Sequence, residues 1–169
     1  MPIPAMIRRR APAFAFAAAL AAAAIASSIV PMNATAGEAM ILETDPAPLT
    51  VRTAQGEFSF TIEVADESSE QAMGLMHREE MAAGHGMLFD FGRTRPVTMW
   101  MKNTPMSLDM VFIRADGTVA GIAERTTPFS EDIVASPEPV AFVLELRGGV
   151  ARLVGLKAGD RLAHPLFGD

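Results

Sequence analysis

Charged side chains stand inside some of the most apolar stretches of this chain, and that constrains its fold more than any other feature. Lys102 follows Trp100-Met101, Asp109 precedes Met110-Val111-Phe112-Ile113, and Glu145 lies between Leu144 and Leu146. A charge among apolar side chains must be paired or must face a pocket, because burying it alone is costly. The pattern therefore places a candidate site without naming a reaction.

The amino-terminal segment reads as an export signal. Arg8, Arg9 and Arg10 form a positive region, Ala11 to Ala26 is apolar, and Ala34-Thr35-Ala36 supplies the small residues a signal peptidase reads. Residues 1–36 are thus expected to be a signal peptide, with Gly37 as the mature terminus. The competing reading is an uncleaved anchor, since Ala11 to Val30 approaches the roughly 20 residues that span a bilayer. Alanine is weakly hydrophobic, which favours cleavage. A membrane partner is expected only if the segment is retained.

Removing residues 1–36 leaves 133 residues with 11 basic and 20 acidic side chains, a formal charge of −9. That is one ordinary domain. Its acidic balance, without a basic cluster, disfavours nucleic acid as a partner. The chain has no cysteine, so an exported form would rely on its apolar core rather than on disulfides.

Residues 37–48, with Pro46 and Pro48, read as a flexible arm, and residues 49–169 as a single β-rich domain. Phe58, Phe60, Ile62 and Val64 alternate with polar residues, which predicts a half-buried hairpin with Leu49 to Thr53. Acids near Asp66 to Ser69 suggest a helix start, with the helix over Glu70 to Met76. Further strands are predicted at Gly86–Phe91, Val97–Lys102, Leu108–Ile113, Val119–Glu124, Val140–Leu146 and Arg161–His164. Leu108–Ile113 is apolar on both faces beyond Asp109 and should be central. Asp116-Gly117 is a hairpin turn signal. Thr126 to Pro139, with three prolines, reads as a long loop, and Val150 to Val154 as a short helix. The fold class is mostly β with a minor α component. Seven to eight strands and one or two short helices fit a compact, partly closed β-barrel.

The blocks Gly74-Leu75-Met76-x-Arg78, Gly86-Met87-Leu88-Phe89-x-Phe91, Trp100-Met101-Lys102-Asn103-Thr104, Leu108-Asp109 and Leu144-Glu145-Leu146, with Gly155 and Gly159-Asp160, run from about Leu49 to Leu162. Their order resembles the small exported prokaryotic proteins classed as domain of unknown function 192. The resemblance implies one β-rich domain and an exported location. It implies no activity and no cofactor.

A ligand pocket is expected near Trp100 and Lys102, with Arg78 and Asn103 contributing and Asp109 and Glu145 shaping it. On a strand, Trp100 and Lys102 point the same way. A partly desolvated lysine beside an indole suits an anionic ligand, and an ion pair of Lys102 with Asp109 or Glu145 accounts for the same charges. Trp100 itself is expected in the core. Three functions remain open. The first is an exported domain binding a small anionic ligand or an envelope partner. The second is a hydrolase using Asp109 and Glu145, which needs the two carboxylates at a fixed separation. The third is copper handling by the methionines, with Met73, Met76, His77 and Met81 as the best cluster; core packing explains the same residues. No cysteine and no Gly-x-Ser-x-Gly elbow is present for nucleophilic catalysis. If export is right, intact-mass analysis of the protein outside the cytoplasmic membrane will show a chain beginning at Gly37; a membrane-bound chain that keeps residues 1–36 contradicts it.

Overall fold

A computed structural model describes residues 37–168; the expected signal peptide lies outside them. The strands are β1 (Leu49–Thr53), β2 (Gly56–Ala65), β3 (His85–Arg95), β4 (Thr98–Met99), β5 (Leu108–Ile113), β6 (Val119–Ala123), β7 (Val134–Ala135), β8 (Val140–Arg147) and β9 (Arg161–Ala163). Two short helices are α1 (Ser68–Met73) and α2 (Val150–Leu153). Seven strands form one sheet in the order β6-β5-β8-β3-β2-β1-β9, and β4 pairs with β7 in a separate ribbon. All pairings are antiparallel except β2 with β3, which the α1 segment connects as a crossover.

The sheet curls until its two end strands meet. Thr118 and Arg161 bridge, the Val119 amide donates to the Asp160 carbonyl at 2.9 Å, and the Leu162 amide to the Gly117 carbonyl at 2.9 Å. Gly117 makes this contact possible twice over. Its φ of +83° suits the β5–β6 turn, and a Cβ there would meet the Leu162 carbonyl at 2.5 Å. The partly closed, mostly β barrel read from the sequence is therefore correct.

Side chains of alternating strand positions build two cores. Leu88, Val111, Leu144 and Leu146 join Leu49 and Val51 of β1, Val119 of β6 and Leu162 of β9 in the barrel interior. Met87, Phe89, Met110, Phe112 and Val143 point to the other face. That face is covered by Leu75 and Met81 after α1 and by Val97, Met101 and Val134 in or beside the β4–β7 ribbon. Burial on both faces explains why β5 and β8 read as continuous apolar runs. β5 is internal, as its composition requires, but β3 holds the middle of the sheet.

Three local expectations need correction. Only Thr98–Met99 of the expected strand Val97–Lys102 is strand; the rest is held by single bonds, such as the Met101 amide to the Ser130 carbonyl at 2.9 Å. Thr126–Pro139 is consequently not an unstructured loop, since it contributes β7 and the Ser136 amide bonds the Val97 carbonyl at 2.8 Å. Helix α1 ends at Met73, because Gly74 takes a left-handed φ of +48° there.

The arm is docked along β2. The Asp45 amide reaches the Ile62 carbonyl at 2.8 Å, and Thr44 bridges to Glu63. It covers Glu63, which strand alternation places on the polar face but which is 3% exposed. Arg78, 7% exposed, clamps the Glu63 carboxylate with two nitrogens, one at 2.7 Å, and donates through Nε to the Met40 carbonyl at 2.8 Å. His85 Nε2 lies 2.9 Å from Glu63 Oε1, and the Leu42 amide donates to Oε2 at 2.8 Å. Burial alone would raise the Glu63 carboxyl; the bonds from Arg78, His85 and Leu42 outweigh it and hold the group below the usual carboxylate range. A depressed folded value means stability that is present above the unfolded pKa and lost as pH falls through the folded one. Arg78→Met should therefore cost about 3–5 kcal/mol at pH 7 by stranding Glu63. Adding Glu63→Gln should recover part of it in urea denaturation; a single variant as stable as the parent contradicts this account.

Candidate functional site

The face of the sheet that carries the methionines also holds a cavity. It encloses about 320 Å³ between the α1 segment, β4 and β8. Its wall is mostly apolar: Met73, Leu75 and Met76 from α1 and the turn after it, Phe89 of β3, Met99 and Trp100 at the end of β4, and Ile133 beside β7. Gln71, Thr98, Thr104 and Glu145 are the polar side chains. Two of these are already engaged. Gln71 Nε2 donates to the Asp90 carbonyl at 2.6 Å, and the Thr104 hydroxyl donates to the Lys102 carbonyl at 3.2 Å.

Glu145 is different. It is 4% exposed, on a strand flanked by Met87 of β3 and Met110 of β5 at the same register. Among the described residues its carboxyl has no ion-pair or hydrogen-bond partner, yet none of their buried side-chain nitrogens and oxygens is sealed off without one. The carboxyl faces the cavity. Burial with nothing to compensate it pushes Glu145 up to about 8, so the group is protonated at neutral pH.

Of the six residues singled out in the sequence, the structure brings Trp100 and Glu145 into one cavity wall, leaves Lys102 and Asn103 beside it, and takes Arg78 and Asp109 elsewhere. Trp100 is 44% exposed, not core: it forms the rim of the cavity. Lys102 pairs with neither Asp109 nor Glu145. Its ammonium sits 5.3 Å from the centre of the Trp100 ring, a cation–π contact at the surface. The physical reason is that the chain leaves the strand after Met99, so Lys102 no longer follows the pleat into the sheet. Arg78 is committed to Glu63. Asn103 supports the wall: its carbonyl accepts the His77 amide at 2.7 Å, and its side-chain amide lies 3.9 Å from Met76 Sδ.

Asp109 is on the opposite face. It pairs in register with Leu146, whereas Glu145 pairs with Met110, so the two carboxylates project to different sides of one sheet. The Asp109 carboxylate accepts the amides of Arg125 at 2.7 Å, Gly149 at 2.9 Å and Ala151 at 2.8 Å, tying the start of α2 to β5. A hydrolytic pair acting across one bond has no geometry here. The methionine cluster is also rearranged. Met73 and Met76 reach the cavity together with Met99, while Met81 packs in the core.

Backbone strain gathers around the same wall. His77, Asn103 and Phe129 all have positive φ, at 63°, 54° and 59°. They are linked, since the Phe129 amide donates to the Thr104 carbonyl at 3.1 Å and His77 bonds Asn103. Left-handed backbone in a bulky residue such as Phe129 is held by its surroundings, and such strain clusters at binding sites.

The family model for DUF192, described as an uncharacterized ACR, matches residues 50–164. The chain belongs to the DUF192 family. A crystal structure from Sinorhizobium meliloti 1021, provisionally named a transcription regulator, is 48% identical, with a TM-score of 0.69 over 75% of this chain and 97% of that one. A protein of unknown function from Novosphingobium aromaticivorans DSM 12444 is 36% identical, with a TM-score of 0.69 over 77% of this chain and 97% of that one. No curated protein matches the chain. The family is one of unknown function, so the site of this DUF192 protein must be read from its own geometry.

The raised Glu145 gives a signed expectation. A carboxyl whose folded value lies above its unfolded value of 4.5 stabilises the fold below that value. The contribution falls as pH rises toward about 8. The parent should thus lose stability between pH 5 and pH 8.5 relative to Glu145→Gln, which cannot ionise. Thermal unfolding of both proteins at the two pH values measures it; parallel pH profiles contradict a buried, titrating Glu145.

Proposed function

We propose that this protein is a small-molecule binding domain that works outside the cytoplasmic membrane. Its ligand is a small, mostly apolar molecule seated against Trp100 and the methionines, with one polar group anchored at Glu145. One observation carries the reading: a buried carboxyl without a protein partner faces a cavity of about 320 Å³ whose other walls are largely apolar. Sites that hold small ligands are concave, apolar and furnished with few polar groups. Export rests on Arg8 to Arg10, the alanine-rich run and Ala34-Thr35-Ala36.

The anionic head group expected from Lys102 has less support than a neutral or cationic one, because Glu145 is the one titratable side chain among the described residues that line the cavity. A pocket of this size also supports a small ligand over an extended envelope partner. A nucleic-acid role is not the reading we favour, since residues 37–169 carry 20 acids against 11 basic residues.

A second reading has one observation of its own. Three thioethers, from Met73, Met76 and Met99, line the same accessible cavity, and soft thioether ligands suit Cu(I).

Trp100 is the only tryptophan of the chain and therefore reports on its own site. The neutral apolar dye N-phenyl-1-naphthylamine should quench Trp100 emission at micromolar concentration. Ala72→Phe, which places a ring in the cavity from an exposed helix position, should weaken binding at least about tenfold. Absence of binding by the parent contradicts the pocket reading. Saturable Cu(I) binding that is lost in Met73→Leu with Met99→Leu, without dye binding, selects the second reading.

A further inference from the structure

Glu145 leaves the fold with an unanswered chemical demand, and the walls around it restrict what can answer. Its carboxyl lies in the sheet between Met87 and Met110, neither of which offers a proton or a charge. Above it the cavity presents thioethers, the Phe89 ring and the Trp100 indole. Among the described residues no charged side chain besides Glu145 lines the cavity. On β3, His85 is bound to Glu63 and Asp90 accepts the Gly92 amide at 2.8 Å. On β5, Asp109 faces the other side and is held by backbone amides. Beyond β4, Lys102 lies over the Trp100 ring. Gln71 on α1 has its amide nitrogen committed to backbone carbonyls, and Ile133, just before β7, is apolar.

From this arrangement we infer that the ligand is an organic amine, bound as its ammonium ion, with the Glu145 carboxylate as counter-ion and an aromatic and thioether wall around its apolar body. The inference rests on the pocket reading above and specifies its ligand class. Three features favour a cation over a neutral polar group or an anion. A buried carboxyl gains most from a partner that supplies both a charge and a hydrogen bond. An indole face and polarisable sulfurs attract cations. The acidic domain, at −9 over residues 37–169, raises the local concentration of cationic solutes.

The proton balance follows. In the free protein near neutral pH the Glu145 carboxyl holds a proton. An incoming R-NH₃⁺ keeps its own, the carboxyl gives its proton to water, and the ion pair replaces the O–H bond. Binding thus releases close to one proton per ligand at pH 7 and below and tightens about tenfold per pH unit there. A neutral ligand that accepts a hydrogen bond from protonated Glu145 shows the opposite trend, flat at low pH and weaker above about 8.

Three probes of one size separate the cases: 2-phenylethylamine, 2-phenylethanol and phenylacetate. Each is titrated into the full-length protein at pH 6, 7 and 8, followed by Trp100 emission and by calorimetry in buffers of different ionisation enthalpy. The inference expects the amine to bind tightest, to gain about fiftyfold from pH 6 to pH 8, and to release about one proton at pH 6–7. In Glu145→Gln the amine should lose at least tenfold in affinity and all of its pH dependence, while 2-phenylethanol is unaffected. Tighter binding of 2-phenylethanol or phenylacetate overturns the amine while leaving an apolar pocket. Amine binding that is independent of pH also overturns it. Binding of none of the three at millimolar concentration overturns both the inference and the pocket reading.

Discussion

A carboxylate taken out of water must be paired, bonded by amides or protonated. This sheet buries three of them, and each meets the requirement differently. Glu63 is clamped by Arg78 and touched by His85. Asp109 is wrapped by the amides of Arg125, Gly149 and Ala151. The first arrangement fastens the arm onto β2, and the second fastens α2 onto β5. Glu145 alone is left to protonation and to whatever enters the cavity. Two of the carboxylates build the fold, and the third is what the fold holds in readiness.

The need to cover both faces of the sheet positions the site. β3, β5 and β8 are apolar on both sides, so closing the barrel satisfies only one face. The outer face needs a second layer, and the chain supplies it from short pieces: the α1 segment, the β4–β7 ribbon and the turns between them. Pieces this short do not pack into a seamless layer. The gap they leave lies over Glu145, walled by flexible methionines that adapt to irregular space. The left-handed backbone at His77, Asn103 and Phe129 belongs to the turns that hold this layer in place.

Much of this was legible in the sequence wherever a single residue pattern has a single physical cause. Alternation at Phe58, Phe60 and Ile62 specifies β2, the two-sided apolar run Leu108–Ile113 specifies an internal strand, and Asp116-Gly117 specifies the turn that closes the barrel. Glu145 stood out because a lone acid between two leucines in a strand has few explanations. What was not legible depends on partners distant in the chain. Nothing local tells that Glu63, 15 residues before Arg78, is its counter-ion, or that the arm buries both. The strand expected to carry Lys102 inward ends at Met99 because its partner is β7, 35 residues later at Val134. One residue of register separates Asp109 from the face that Glu145 occupies. Sequence alone marks both acids as embedded but does not reveal that they look in opposite directions.

The account depends on one state of one group, a protonated and accessible Glu145 at neutral pH. Selective ¹³C labelling of glutamate with an NMR titration of the side-chain carboxyl carbons reads that state directly, with Glu145→Gln assigning the resonance. The account predicts that one glutamate titrates with a midpoint near 8, and that its midpoint falls when an amine occupies the cavity. A Glu145 resonance that titrates at the ordinary glutamate value of 4.5 would contradict it.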